Sequence, residues 1–170
     1  MALLTINNMK DSSIGSIGGK IIERTNGLTL MRNSSEYFEY YKRGKPVTKT
    51  GKVDLSNVSY FLLMRSLELG MKALLKMKEG CAVLLLREKF KHNVFKLYSY
   101  CIEKNYLKPH KKEVQIALKM LNIYYSEKDF EYTRIGVKEL PFTYYIVSLI
   151  EDVHKELNSI IQTTGIKRYI

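Results

Sequence analysis

The fold is decided by the stretch Tyr60-Phe61-Leu62-Leu63-Met64-Arg65-Ser66-Leu67-Glu68-Leu69-Gly70-Met71-Lys72-Ala73-Leu74-Leu75. It is apolar on nearly every side of a helix, which is typical of a helix at the centre of a domain. Its three charged residues therefore need partners, since buried charges are almost always paired. Arg65 and Glu68 are three residues apart and Glu68 and Lys72 are four apart, so they share one helical edge and can pair there.

The sequence on both sides of this central helix predicts more helices and no sheet. Asn33, Ser34 and Ser35 are good N-cap residues for a short aromatic helix, and Ser56 or Asp54 can cap the central helix, which should end near Gly80. Apolar residues at helical spacing mark further helices over 81–90, 93–106, 109–125 and 141–164. We therefore expect an all-α antiparallel bundle of four to five helices.

The length of 170 residues favours one folded domain. We predict an irregular N-terminal arm over residues 1–32, flexible or a short hairpin, a helical domain over 33–164 and a tail over 165–170. Cys81 and Cys101 lie within apolar helical patterns and are expected to be reduced and buried. The chain has neither an apolar run of membrane-spanning length nor a secretory signal, which favours a cytoplasmic protein without membrane contact.

Positive charge is the main hint about partners, because the net charge of +11 favours phosphate-rich polymers. The stretch from Tyr40 to Val53 has no acidic residue and contains a basic cluster of Lys42, Arg43, Lys45, Lys49 and Lys52. It can follow a nucleic-acid backbone. The alternative is a solvated loop in a lysine-rich protein.

Histidine is the residue type that points to chemistry. His92 stands at the start of a predicted helix, five residues after Arg87. An imidazole can act as general base or acid, and a guanidinium can stabilise the charge that develops during RNA cleavage. The alternative is that His92 only caps its helix. His110 and His154 are expected at the surface.

No Cys, His or Asp cluster has metal-ligand spacing, so no metal or other cofactor is predicted.

Several of these segments together resemble the prokaryotic members of the HEPN superfamily. The resemblance rests on Tyr60-Phe61-Leu62-Leu63 with Arg65-Ser66-Leu67-Glu68-Leu69, on Lys89-Phe90-Lys91-His92-Asn93-Val94, on Leu121-Asn122 with Tyr125, and on Asp129-Phe130-Glu131-Tyr132. It implies a helical bundle that commonly forms homodimers. Members include ribonucleases of toxin–antitoxin, defence and RNA-processing systems, inactive RNA binders and partners of nucleotidyltransferases.

The resemblance also implies roles for particular residues. Arg87 and His92 match the spacing of the catalytic pair of the active members, but Glu88 follows Arg87 where those members usually carry Asn, Asp or His. Lys91 and Asn93 stand where a Gly-His-Asp-Leu-like turn has Gly and Asp. The family pattern therefore favours a buried polar network over a catalytic site, and the predicted network comprises Arg65, Glu68, Lys72, His92 and Asn93.

Three functions follow from these observations. The first is a dimeric HEPN-like protein, associated with RNA or with a defence or toxin–antitoxin system, without strong catalytic activity. The second is a metal-independent endoribonuclease that uses Arg87 and His92. The third is a structural module for protein–protein interaction, whose basic surface never meets nucleic acid. Aromatic residues over 37–41 or the tyrosines of the last helix can form a dimer face.

Overall fold

The structure of the protein is a computed structural model that describes residues 26–44, 56–131 and 140–164. Within these ranges the chain forms helices and no strands, which confirms the all-α class. The six helices are α1 (Gly27–Arg43), α2 (Asn57–Glu79), α3 (Val83–Phe90), α4 (Val94–Glu103), α5 (Lys112–Ser126) and α6 (Tyr144–Thr164). No helix in the described ranges is long and apolar enough to cross a membrane.

The central helix α2 begins and ends where its capping residues predict. The Ser56 hydroxyl accepts a hydrogen bond from the Ser59 N–H at 3.2 Å, which satisfies a free donor of the first turn. Gly80 ends the helix in the left-handed conformation, with φ of 66°, and its N–H donates to the Lys76 carbonyl. Fourteen of its 23 residues are buried, including the unbroken run from Ser66 to Leu75, so α2 is the centre of the core.

Helices α1 and α6 approach α2 closely at Gly70. A Cβ atom at this position would lie 2.9 Å from the Ser34 Oγ of α1 and 3.0 Å from the Val153 Cγ1 of α6. The missing side chain therefore lets both neighbours pack against α2 at one level. This packing places Ser34 and His154 side by side, at the interface of three helices.

The start of α1 differs from the sequence prediction. Asn26 is the N-cap, and its side-chain oxygen accepts from the Thr29 N–H at 2.8 Å, so α1 begins at Gly27 and includes residues assigned above to the N-terminal arm. Ser34 lies inside the helix and is fully buried. Its hydroxyl donates a hydrogen bond to the Ser66 carbonyl of α2 and does not cap a helix. Residues 1–25 and 165–170 lie outside the described residues.

The connection between α3 and α4 is a tight turn with an unusual backbone. Lys91 has φ of 48° and ψ of −119°, a conformation that favours glycine, and its N–H donates to the Arg87 carbonyl at 2.8 Å. Asn93 then caps α4, because its side-chain oxygen accepts from the Lys96 N–H at 2.8 Å. These two bonds fix the position of His92 between them.

Candidate functional site

The most elaborate polar site of the described structure is centred on the Glu68 carboxylate, whose side chain is only 1% exposed. Its Oε1 accepts from Lys72 Nζ at 2.5 Å. Its Oε2 accepts from Tyr125 Oη at 2.5 Å and from Arg65 Nη1 at 3.1 Å, and the His92 Nδ1 lies 3.3 Å away. Helix α2, helix α5 and the α3–α4 turn therefore meet at one carboxylate, which we call the Glu68 network.

The charges in this network explain how a carboxylate is tolerated in the core. Burial alone would raise the pKa of Glu68, but the charge and hydrogen bond of Lys72, the Tyr125 hydroxyl and the Arg65 charge bring it below its usual value. Burial and the neighbouring carboxylate raise the pKa of Tyr125, so its phenol stays protonated and donates. The Glu68 network thus holds an ionised acid among donors.

Lys72 extends the Glu68 network to the backbone of the α3–α4 turn. Its Nζ donates a second hydrogen bond, 3.0 Å long, to the carbonyl of Lys91. This contact stabilises the turn whose backbone conformation suits glycine. Lys91 and Asn93 stand where a Gly-His-Asp-Leu-like turn would have Gly and Asp. Glycine would suit the backbone conformation at position 91, and aspartate would suit the helix cap at position 93.

Asn93 is the one predicted member that does not join the network. The prediction placed its side chain inside the bundle, but it is exposed and its oxygen caps α4. The reason is local, since an N-cap side chain must turn back toward the first turn of its own helix. Tyr125 takes a place in the network instead. Its position in an apolar stripe concealed this role, because a tyrosine presents both an apolar ring and a polar tip.

The structure does not join Arg87 and His92 by a direct contact. Arg87 is exposed on α3, and its side chain makes no hydrogen bond or ion pair within the described residues. His92 is held through Nδ1 by Glu68, and its ring meets the Tyr125 ring edge-to-face at 6.1 Å. The His92 side chain is 44% exposed, so part of the ring faces solvent.

Only part of the predicted basic cluster lies in the described residues. Lys42 and Arg43 form the exposed last turn of α1, where cations are favoured by the helix dipole. Lys42 pairs with Glu39 and its ammonium lies 4.9 Å from the centre of the Phe38 ring. Lys45, Lys49 and Lys52 lie outside the described residues.

A second polar cluster, missed by the sequence prediction, joins α1, α2 and α6. The Ser34 hydroxyl lies 2.7 Å from the Ser66 carbonyl and 2.8 Å from His154 Nε2. Because its single proton is donated to the carbonyl, it accepts from the His154 N–H and is not activated as a nucleophile. Burial and the charge of Lys42 lower the pKa of His154, which favours the neutral ring.

The expected surface positions of two histidines were therefore wrong. His154 is largely turned into the core, and the His110 side chain pairs with Asp152 at 2.9 Å while remaining only slightly exposed. Sequence alone could not show this, because both contacts join residues far apart in the chain. Within the described ranges, no group of His, Cys, Asp and Glu side chains could hold a metal ion.

Comparison of the chain with models of known protein families, with curated proteins and with solved structures finds no match in any of the three.

Proposed function

We propose that the chain is a HEPN-like helical protein that binds RNA as a homodimer and has no strong catalytic activity. The observation that carries this proposal is the use of His92 as a partner of the buried Glu68 carboxylate. His92, the side chain best suited to acid–base catalysis, belongs to the Glu68 network, which connects α2, α5 and the α3–α4 turn. Arg87, its expected catalytic partner, is exposed on α3.

The charge of the chain supports RNA as the partner. Lys and Arg number 28 against 17 Asp and Glu. Exposed lysines recur on several helices and connections, namely Lys89, Lys91, Lys96, Lys104, Lys108, Lys111, Lys112 and Lys119. Such a surface neutralises phosphates and gains affinity from the release of counterions.

An exposed apolar strip on α5 supports the homodimer. Ile116 and Ile123 are seven residues apart, so they share one face of the helix, and both are at least half exposed. Light scattering on the eluting protein should give about twice the chain mass of 19.8 kDa. An Ile116→Lys/Ile123→Lys variant should elute as a monomer if this strip is the interface.

A ribonuclease is the second candidate, and one observation favours it. Glu68 holds the His92 ring through Nδ1, and a carboxylate-oriented imidazole that is partly open to solvent can serve as a general base. In this candidate Arg87 stabilises the charge at the scissile phosphate.

One experiment separates the two candidates. A fluorescently labelled single-stranded RNA is incubated with the protein in a chelator, binding is followed by anisotropy, and the same samples are run on a denaturing gel. We expect bound and intact RNA with the wild type and with His92→Ala. RNA cleavage that disappears in both His92→Ala and Arg87→Ala would establish the ribonuclease, and absence of binding would overturn the RNA proposal.

A further inference from the structure

Three aromatic residues lie together at the start of α6, where two of them are exposed. Phe142 is 65% exposed and Tyr144 is 57% exposed, while Tyr145 is half-buried. The Phe142 and Tyr144 rings stack with centres 5.9 Å apart and planes 22° apart. The Tyr144 and Tyr145 ring centres are 4.1 Å apart. We call these three residues the aromatic platform.

The aromatic platform borders a surface cavity of about 530 Å³ between the starts of α5 and α6. This volume falls within the range of roughly 300–1,000 Å³ that holds small ligands. Its lining combines the aromatic Tyr144 and Tyr145 with the polar His110, Lys111 and Glu113. Aromatic rings beside polar side chains suit a planar group that carries hydrogen-bonding edges.

His110, in the polar part of the lining, is held in place by hydrogen bonds to its backbone and its ring. The His110 N–H lies 3.1 Å from the Tyr98 hydroxyl, and Gln115 Nε2 donates to the His110 carbonyl at 2.8 Å. The His110 ring is in turn fixed by Asp152. A side chain fixed in this way loses little freedom when a ligand binds, which favours affinity.

The charges beside the cavity complement phosphate groups. Lys108, Lys111 and Lys112 are exposed on the segment that enters α5. Among the residues that line the cavity, Glu113 is the one carboxylate. Lysine is depleted at the core of protein–protein interfaces, so lysines around exposed stacked rings favour a nucleic acid over a protein partner.

We propose that the aromatic platform is a stacking site for unpaired bases of single-stranded RNA, with Lys108, Lys111 and Lys112 contacting the phosphates. The proposal rests on the RNA binding proposed above and names the surface that performs it. Aromatic side chains bind bases without strong sequence preference, because every base has a flat π-face. Stacking also requires unpaired bases, so the aromatic platform distinguishes single-stranded from duplex RNA.

The test compares exposed apolar side chains on different helices of the protein. Affinity for a labelled single-stranded RNA is measured by anisotropy for the wild type, Tyr144→Ala, Tyr144→Phe and Leu28→Ala. Leu28 is the control, since it is 37% exposed at the start of α1 and belongs to none of the candidate binding surfaces. We expect Tyr144→Ala to weaken binding roughly tenfold. Tyr144→Phe and Leu28→Ala should bind like the wild type, because the first keeps a ring in place and the second lies on another helix.

Further arms distinguish the ways in which the proposal can fail. Equal affinities of Tyr144→Ala and wild type would overturn the aromatic platform while leaving RNA binding intact, and so would an equal loss in Leu28→Ala. Absence of RNA binding by the wild type would overturn both proposals. A Tyr144→Ala protein that becomes monomeric with unchanged RNA affinity would identify the platform as a contact between copies of the chain and overturn the RNA site.

Salt dependence separates the two parts of the site. Lys111→Ala should reduce the slope of log affinity against log salt concentration by about 0.7, because it removes one phosphate contact to a single strand. Tyr144→Ala should lower affinity at every salt concentration and leave the slope unchanged, since stacking releases no counterion. A changed slope in Tyr144→Ala would contradict the assignment of stacking to this ring.

Discussion

Replacing Glu68 by Ala should destabilise the protein strongly, because it leaves a buried charge and buried hydrogen-bond donors without this acceptor. The substitution removes the acceptor of both Lys72 and Tyr125, which are buried. Arg65 and His92 are partly exposed and can turn to water, so their loss matters less. The expected cost thus comes mainly from the buried lysine and the buried phenol.

The size of the effect follows from these two groups. Breaking a buried ion pair by removing one partner costs about 3–5 kcal/mol. Lys72 keeps one acceptor, the Lys91 carbonyl at 3.0 Å, which favours the lower part of that range. We therefore expect a loss of about 3 kcal/mol in the free energy of unfolding, and a melting temperature lower by roughly 10 °C for a chain of this length.

Urea unfolding followed by circular dichroism measures this loss, provided that the slope against urea is unchanged. Glu36→Ala is the matched control, because Glu36 also forms an i,i+4 pair, with Arg32, but at the surface. It should change stability by less than about 0.5 kcal/mol. A Glu68→Ala protein as stable as Glu36→Ala would refute the role of the Glu68 network.

A double variant tests the cause of the loss. Lys72→Met removes the unpaired ammonium, so Glu68→Ala/Lys72→Met should recover part of the stability that Glu68→Ala loses.

The pKa of Glu68 in the fold is below its ordinary value of 4.5. The contribution of Glu68 to stability is therefore present above that pH and is lost as pH falls through the folded pKa. Glu68→Gln should remove this acid-dependent part. An undiminished dependence below pH 4.5 would show that other carboxylates cause it.

Three other changes probe packing, backbone and titration, each by urea unfolding. Gly70→Ala should cost about 1–3 kcal/mol, since the new Cβ would lie 2.9 Å from Ser34 Oγ, and unchanged stability would contradict that close approach. Lys91→Gly should stabilise by about 1 kcal/mol, because glycine adopts φ of 48° without strain, and a loss would argue against this backbone. Burial and Lys42 lower the pKa of His154, so the wild type should lose stability as pH falls below 6.5, and His154→Gln should lose less. Identical pH profiles would contradict this last expectation.

The central helix is the part of the fold that sequence predicts best. Its caps at Ser56 and Gly80 and its polar edge of Arg65, Glu68 and Lys72 depend on spacing within one helix, which the sequence displays directly. Contacts within three or four residues need no knowledge of the rest of the fold.

Contacts between distant segments are the part that sequence could not predict. The Asn33-Ser34-Ser35 run has three cap-forming residues, yet the cap is Asn26, because Ser34 is needed against Ser66 of α2. Likewise, His154 gains its buried partner from a helix 120 residues earlier. Such choices are decided by packing, which overrides local preference.

The most direct test of the RNA proposal is the salt dependence of binding by the full chain. Affinity for a labelled single-stranded RNA is measured by anisotropy over a range of salt concentrations in a chelator. We predict that log affinity falls linearly with log salt, with a slope of about −0.7 for each phosphate contacted, while the RNA stays intact. Binding that is absent at low salt, or that does not change with salt, would contradict the proposal that the basic surface binds RNA.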